Sequence, residues 1–452
     1  MKIDVLVAEI GSTTTIVNAF DNIKTSKPVF WGQGQAATSV LEGDVRVGLK
    51  EAIDDLCKRK GVSSVEYGEM LATSSAAGGL KMSVHGLVYD MTVRAAKEAA
   101  LGAGAILHLV TAGRLSRTDL LKIKEVSPNL IMIAGGVDYG ERNTAIYNAE
   151  MIRSLDIATP VIYGGNVQNH DEIRLIFKDS KAPLYIVGNV YPKIDELNVE
   201  PARKVIQAAF EDHIVQAPGM EHIRDMVNGS IIPTPGAVME GARLLYGQMG
   251  DLMVLDVGGA TTDLHSVTDG SEEISRISIS PEPKAKRTVE GDLGVYINVR
   301  NILESIGYEN LSNELGFDIS DVAENHKFIP STDDEIRFVE RLTKEAVIQA
   351  TKRHAGRIRY VYGPTGRSTL AEGKDLSKVK YIIGTGGALT NLPNRIAILR
   401  DIAGHNETGL LLFPDSNAKI LIDENYIMAS LGVLSKHYKD AAVYLLRESL
   451  ES

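Results

Sequence analysis

Leu252-Met253-Val254-Leu255-Asp256-Val257-Gly258-Gly259-Ala260-Thr261-Thr262-Asp263-Leu264-His265-Ser266-Val267 is the stretch on which the reading of this chain turns. Four apolar residues run into an acid, the chain reverses over glycines and threonines, and a second strand-like run follows, so a β-hairpin with a polar tip is expected. The N-terminus carries the same pattern: residues 5–10, the turn Gly11-Ser12-Thr13-Thr14, then residues 15–20. Glu9 stands where the later copy has Asp256, two residues before the first glycine of its turn. Backbone N–H groups reach a phosphate only where no bulky side chain intervenes, so glycine beside hydroxyl side chains suits phosphate binding. A carboxylate at the end of the preceding strand could hold a hydrated Mg2+ beside those phosphates. Gly11, Ser12, Thr13, Thr14, Gly258, Gly259, Ala260, Thr261 and Thr262 are therefore candidate phosphate ligands, and Glu9 and Asp256 candidate metal ligands.

A third turn differs. The strand expected at 379–383 enters Gly384-Thr385-Gly386-Gly387-Ala388-Leu389, with Thr390 or Asn391 placed to cap a following helix. That geometry suits close approach by a flat base or a ribose, which makes Gly384, Gly386, Gly387 and Ala388 candidate adenosine contacts. None of the three turns is a P-loop or a Gly-x-Gly-x-x-Gly dinucleotide turn. Their order and spacing leave room for one lobe between each pair, as a two-hairpin clamp on a triphosphate would require.

Around these turns, short apolar runs ending in glycine alternate with helical patterns, the mark of α/β architecture. Strands are expected at 129–133, 160–163 and 184–187, each followed by a glycine turn (Gly135, Gly164, Gly188), and read as an inserted parallel βαβ segment of the first lobe. Helices are expected at 87–101, 199–210, 293–306, 336–350 with Asp333 or Asp334 as N-cap, and 426–446. We divide the chain into lobe one, 1–230, and lobe two, 231–452.

The 452 residues, 44% hydrophobic and 24% charged, describe an ordinary globular chain. With 48 basic against 59 acidic side chains the net charge is −11, which argues against a nucleic-acid partner. A lone cysteine, Cys57, needs no oxidising compartment, so a cytoplasmic setting is expected. Acids within the first nine residues do not fit a signal peptide, and no apolar stretch is long enough to span a membrane. The ten histidines form no close ligand pair, which disfavours catalytic zinc.

The two phosphate turns, the second as Asp-x-Gly-Gly-x-Thr-Thr-Asp, and the late Gly-Thr-Gly-Gly-Ala resemble the actin, sugar-kinase and heat-shock-chaperone ATPase superfamily, a fold of duplicated ribonuclease H-like domains. Val7-Ala8-Glu9-Ile10-Gly11-Ser12-Thr13-Thr14, Leu41-Glu42-Gly43-Asp44-Val45-Arg46, Ala72-Thr73-Ser74-Ser75-Ala76-Ala77-Gly78-Gly79-Leu80, Ala134-Gly135-Gly136-Val137-Asp138-Tyr139-Gly140 and Val289-Glu290-Gly291-Asp292-Leu293-Gly294 further resemble the GlmL (MutL-type) accessory proteins of adenosylcobalamin-dependent glutamate (methylaspartate) mutase. This likeness spans essentially the whole chain. It implies an ATPase that serves mutase subunits by driving release of damaged cobalamin, with ATP and Mg2+ as cofactors. By position it implies that Asp256 holds Mg2+ and orients the attacking water, that Glu9 assists the metal, and that Asp263 is a further polar partner in catalysis.

The chain departs from its relatives in three places. Glu9 replaces the usual Asp, Ile16 stands where related activators have Lys, and Ile232-Pro233-Thr234-Pro235-Gly236 lacks the Glu of chaperone ATPases. Loss of a cation and a water-orienting acid implies slow or partner-stimulated hydrolysis. A small-molecule kinase and a non-hydrolysing scaffold are the alternative functions on the same fold. Of the remaining features, 74–79 reads as a helix-entry turn, Lys284, Lys286 and Arg287 as a solvated charge run, and Lys352, Arg353, His354, Arg357 and Arg359 as a charged strand edge.

Overall fold

The computed structural model describes residues 1–11, 14–75, 80–215, 219–220, 222–363, 366–406 and 408–451, so Ser12, Thr13 and the 76–79 stretch of the helix-entry reading lie outside the described residues. Two compact units form: unit 1 comprises Met1–Ala237 and Gly432–Ala441, unit 2 Val238–Leu431 and Ala442–Ser452.

In unit 1, β1 (Lys2–Ile10), β2 (Thr14–Asp21) and β3 (Val29–Ala37) form an antiparallel meander, and β4 (Glu66–Ser74) joins β1 in parallel. Five strands then follow before the sheet is completed: β5 (Lys81–Gly86), β6 (Ile106–Ala112), β7 (Leu130–Ile133), β8 (Val161–Tyr163) and β9 (Leu184–Ile186). The short β10 (Ile232–Pro233) returns to pair with β4, giving the order β10-β4-β1-β2-β3. Unit 2 repeats that order with β11 (Leu252–Val257), β12 (Thr262–Val267), β13 (Ala285–Glu290), β16 (Tyr381–Thr385) and β17 (Lys419–Ile422), arranged β13-β12-β11-β16-β17 with the same parallel and antiparallel neighbours. A two-stranded ribbon, β14 (Arg357–Gly363) and β15 (Gly366–Glu372), lies between β13 and β16 in sequence. This duplicated sheet is the ribonuclease H-like pattern of the actin-like fold.

The inserted strands make a separate, all-parallel sheet in the order β6-β5-β7-β8-β9. Its strand β7, Leu130-Ile131-Met132-Ile133, shows why it has no polar alternation. Leu130 and Met132 join the core shared with Leu6, Ile10 and Leu49, whereas Ile131 and Ile133 join a second core with Val161, Tyr163 and Ile173. A parallel sheet buried on both faces reads as a continuous apolar run, and each fully buried side chain contributes about 1.5–3 kcal/mol.

The helix expected at 199–210 runs on to Val215, the strand expected at 379–383 is Tyr381–Thr385, and four further helices differ in extent. The helix at 87–101 begins as a π turn, Tyr89–Val93, before the α-helix Arg94–Gly102, because Thr92 Oγ accepts the amides of Leu87 and Val88 at 3.0 and 3.2 Å. The helix expected at 336–350 is Asp333–His354, capped by Thr332 through a reciprocal capping box with Glu335, so neither Asp333 nor Asp334 is the cap. The C-terminal helix is two helices, Met428–Leu434 and Lys439–Glu451. Between them, Lys436 and His437 donate three residues back to Val433 and Leu434, and the Tyr438 hydroxyl reaches Glu69 at 2.8 Å. The fourth, the helix expected at 293–306, starts only at Val299 for a reason that belongs to the site.

Candidate functional site

The two glycine turns are built alike. In unit 1 the Gly11 amide donates to the Thr14 carbonyl at 3.0 Å, and in unit 2 the Gly258 amide donates to the Thr261 carbonyl at 3.0 Å. Both acids lie on the central strand of their sheet: Glu9 is flanked by Ile16 on β2 and Thr73 on β4, Asp256 by Asp263 on β12 and Thr385 on β16. The repeat seen in sequence is thus a repeat of register and of hydrogen bonding.

In unit 1, Glu9 is buried at 6% exposure. The Thr38 hydroxyl donates to the Gly11 carbonyl at 2.9 Å and lies 3.0 Å from the buried Thr15 hydroxyl, so β2 and the end of β3 brace the turn. A Cβ on Gly11 would meet the Thr14 carbonyl oxygen at 2.6 Å, which explains the glycine. Ser75 donates its amide to the Ile10 carbonyl at 2.9 Å, which brings the start of the 74–79 segment to the end of β1.

Unit 2 is braced more fully. The amides of Val295, Tyr296 and Ile297 donate to the carbonyls of Gly258 and Gly259, and the Asn298 side-chain amide donates to the Ala260 carbonyl at 2.7 Å and to the Gly291 carbonyl at 2.8 Å. Residues 295–298 therefore spend their hydrogen bonds on the turn, and the expected helix begins only at Val299. Gly294 fits because a Cβ there would strike the Ala260 backbone at 2.2 Å. With its carbonyls tied from one side, the turn leaves the amides of Gly259, Ala260 and Thr261 without a protein acceptor among the described residues. Such a row of donors is an anion-binding nest.

The threonines and acids of this turn differ in their partners. The Thr261 hydroxyl donates to Asp263 at 3.2 Å. The buried Thr262 hydroxyl, a candidate phosphate donor, instead donates to the Leu293 carbonyl at 2.7 Å and ties the hairpin to the bracing segment. Asp263 is buried and accepts from Arg287 Nε at 3.0 Å and Nη2 at 2.7 Å. The expected solvated run divides: Arg287 is buried and Lys286 is half-buried and paired with Glu282, whereas Lys284 is exposed, pairs with Asp269 and lies 4.4 Å over the Tyr246 ring.

The third turn meets the second directly. Gly386, at φ +84°, starts the helix Gly386–Asn391 with its Cα against Asp256; a Cβ there would come within 2.4 Å of Asp256 Oδ1 and 2.6 Å of the Val257 carbonyl oxygen. The Thr385 hydroxyl donates to the buried Asp423 carboxylate at 3.0 Å, which also accepts from the Ser449 hydroxyl and the amides of Ile427 and Met428. Burial pushes the Asp423 carboxyl up, against these four donors. Thr390 lies inside the helix and donates to the Asp423 carbonyl, so it anchors the helix and does not cap it. Gly384 packs on Leu399 and Ile422, whereas a Cβ on Gly387 would meet open space, which singles out Gly387 as the position a ligand can approach. Ala388 is half-buried on the following turn.

Sequence reasoning missed Asn298, Gly294, Thr38 and Asp423. Asp423 had a signal, an acid ending the apolar strand Ile420-Leu421-Ile422 as Asp256 ends its own. Arg353, expected on a strand edge, instead turns back to Glu290 at 2.7 Å and Asp292 at 2.6 Å and pins the start of the bracing segment. Burial raises the Glu290 carboxyl despite that pairing, while Arg353 holds Asp292 low. Mg2+ commonly keeps several waters and takes one or two protein carboxylates besides phosphate oxygens, so a single half-buried Asp256 beside a donor nest fits it, and no cluster of three metal-binding side chains is present among the described residues.

A family model described as MutL protein matches residues 5–450. The Protein MutL of Clostridium tetanomorphum is 37% identical over 464 aligned positions that cover 98% of each chain. Among solved structures, the diol dehydratase-reactivating factor in nucleotide-free form aligns over 96% of this chain and 99% of its own, at 12% identity and a TM-score of 0.39. A ROK family glucokinase from Streptomyces griseus in complex with glucose and AMPPNP aligns over 98% and 99%, at 11% identity and a TM-score of 0.34. By the family model and a relative matched nearly end to end, the chain belongs to the MutL protein family.

Proposed function

We infer that this chain binds ATP with Mg2+, hydrolyses it slowly, and couples the cycle to reactivation of an adenosylcobalamin-dependent mutase, with glutamate (methylaspartate) mutase as the partner. The observation that carries the reading is the pair of equivalent turns, each closed by a 3.0 Å glycine-to-threonine hydrogen bond and each preceded by a strand-end acid. Membership in the MutL protein family and the likeness to mutase accessory proteins support the choice of partner.

In this reading the amides of Gly259, Ala260 and Thr261 bind phosphate oxygens, joined by Gly11, Ser12, Thr13 and Thr14 from the first turn. Asp256 holds the metal and accepts a hydrogen bond from the attacking water, which aligns it for in-line displacement. The bound Mg2+ supplies neutralisation of charge on the phosphoryl oxygens. Glu9, on a longer side chain, assists the metal. Asp263 keeps Thr261 in place from its ion pair with Arg287 and is a positioning residue, and Gly387 leaves the room that adenosine needs. Ile16 offers no charge to a phosphate, in keeping with hydrolysis that waits for a partner.

Phosphate release from Mg-ATP by the purified chain, alone and with cobalamin-inactivated glutamate mutase, tests this. We expect a rate that rises with the mutase, recovery of mutase activity with fresh adenosylcobalamin, and loss of both in Asp256→Ala. ATP binding without turnover or reactivation would leave only a scaffold. A phosphorylated small molecule in place of free phosphate would make the chain a kinase.

A further inference from the structure

The ribbon β14–β15 is exposed beyond what its fold needs. Only its base is anchored, where Ile358 donates to the Leu410 carbonyl at 2.7 Å and Ile279 donates to the Ala371 carbonyl at 2.9 Å. Among the described residues, no further backbone hydrogen bond reaches the outer edges of its distal half. Tyr360, Val361 and Tyr362 are 45%, 46% and 76% exposed. A lone two-stranded hairpin is marginal in water, and open strand edges with large apolar side chains invite pairing with another chain.

The composition of one face is specific. Tyr362 is directly opposite Arg367 and Tyr360 opposite Thr369, and opposed residues share a face, so two tyrosines and an arginine are displayed together. The Arg367 guanidinium stacks over the Tyr360 ring at 4.6 Å, which holds both side chains ready. Tyr and Arg are the residue types that dominate binding energy at protein interfaces. From 358 to 371 the chain carries two arginines and no acid, against −11 for the whole. On the opposite face Arg359 is already paired with Glu372 at 3.1 Å, so Arg367 is the cation left for a partner.

We propose that the distal half of this ribbon docks an acidic surface of a partner protein, with Tyr360 and Tyr362 as anchors and Arg367 paired to a carboxylate. A second copy of the chain is the weaker occupant, since a two-fold contact centred on Arg367 would set the two guanidiniums against each other and the ribbon from 358 to 371 holds no acid to pair with either. The choice of glutamate mutase as probe rests on the function proposed above.

The test is titration calorimetry of the full chain with glutamate mutase in Mg-ATP, comparing wild type with Tyr362→Ser/Arg367→Glu. Thermal melts and basal phosphate release serve as controls, and both should be unchanged because the residues are exposed and outside the nucleotide turns. At least a tenfold loss of affinity with unchanged controls, together with weakening of wild-type binding by salt, is the expected result. Equal binding by wild type and variant overturns the ribbon as interface and leaves the mutase reading intact. No binding by wild type removes the mutase reading and this proposal with it. A variant that converts an oligomer of the chain to monomer on sedimentation assigns the ribbon to a second copy and overturns it as well.

Discussion

Replacing Arg287 with Met separates support from catalysis at the second turn. Arg287 is 2% exposed and Asp263 5% exposed, and two hydrogen bonds of 3.0 and 2.7 Å join them. Removing one member of a buried pair leaves an uncompensated charge, at a cost of roughly 3–5 kcal/mol. For a unit of this size 1 kcal/mol corresponds to about 2–4 °C, so Arg287→Met should lower the melting temperature by roughly 6–20 °C. Asp263→Asn in the same background removes the stranded charge and keeps an oxygen for Thr261, so the double variant should recover at least half of the loss. Circular-dichroism melts of the four chains, with binding of a fluorescent ATP analogue, measure both effects. Additive melting shifts would refute the pairing argument. Asp263→Asn alone, if it melts and binds ATP like wild type yet no longer releases phosphate, would make Asp263 a catalytic acid and refute its role as support.

The glycines of the third turn give a contrast. Gly386→Ala forces an alanine into φ +84° with its Cβ within 2.4 Å of Asp256, and should destabilise unit 2 by about 2–4 kcal/mol in denaturant melts. Gly387→Ala meets open space and should leave the melt unchanged while weakening ATP binding; unchanged affinity would remove Gly387 from the adenosine site. Asn298→Ala frees the Ala260 and Gly291 carbonyls, and at about 1 kcal/mol for each hydrogen bond should weaken ATP binding roughly tenfold or more. His85, buried between Ser83 and Thr111, has its pKa pushed down to about 4 from an ordinary 6.5 by burial. The unfolded chain binds the proton first, so stability falls as pH drops from 6.5 to 4, by about 3 kcal/mol in all; urea midpoints followed by Trp31 fluorescence should lose part of that slope in His85→Gln.

The hairpins were legible in sequence because strand, acid, glycine and hydroxyl are local, and locality suffices to set their register. The inserted sheet was legible for the same reason: short apolar runs at 129–133, 160–163 and 184–187, each closed by a glycine turn, are the local mark of buried strands. What escaped was whatever depends on residues far apart meeting. Asp256 and Gly386 touch across adjacent parallel strands, and nothing near either announces it. Leu293 to Ile306 has helical spacing throughout, yet Val295, Tyr296, Ile297 and Asn298 are claimed by the carbonyls of Gly258, Gly259 and Ala260. That Asp263 is paired with a buried Arg287, an apparent surface charge, could not be read from either residue's neighbours in sequence.

The division of the chain into units has a consequence for its biosynthesis. The backbone passes between units at 237/238, 431/432 and 441/442. Unit 1 waits for Tyr438 to reach Glu69, and unit 2 waits for Ser449 to reach Asp423. Neither has its last segment until residues 432–452 have been made, so the emerging chain carries two sheets whose strands are already complete while the helical segments that finish their units are still to come. A deletion of some twenty C-terminal residues would therefore strip both units of a closing segment, and cutting at 237/238 would yield two fragments, neither of which is a domain.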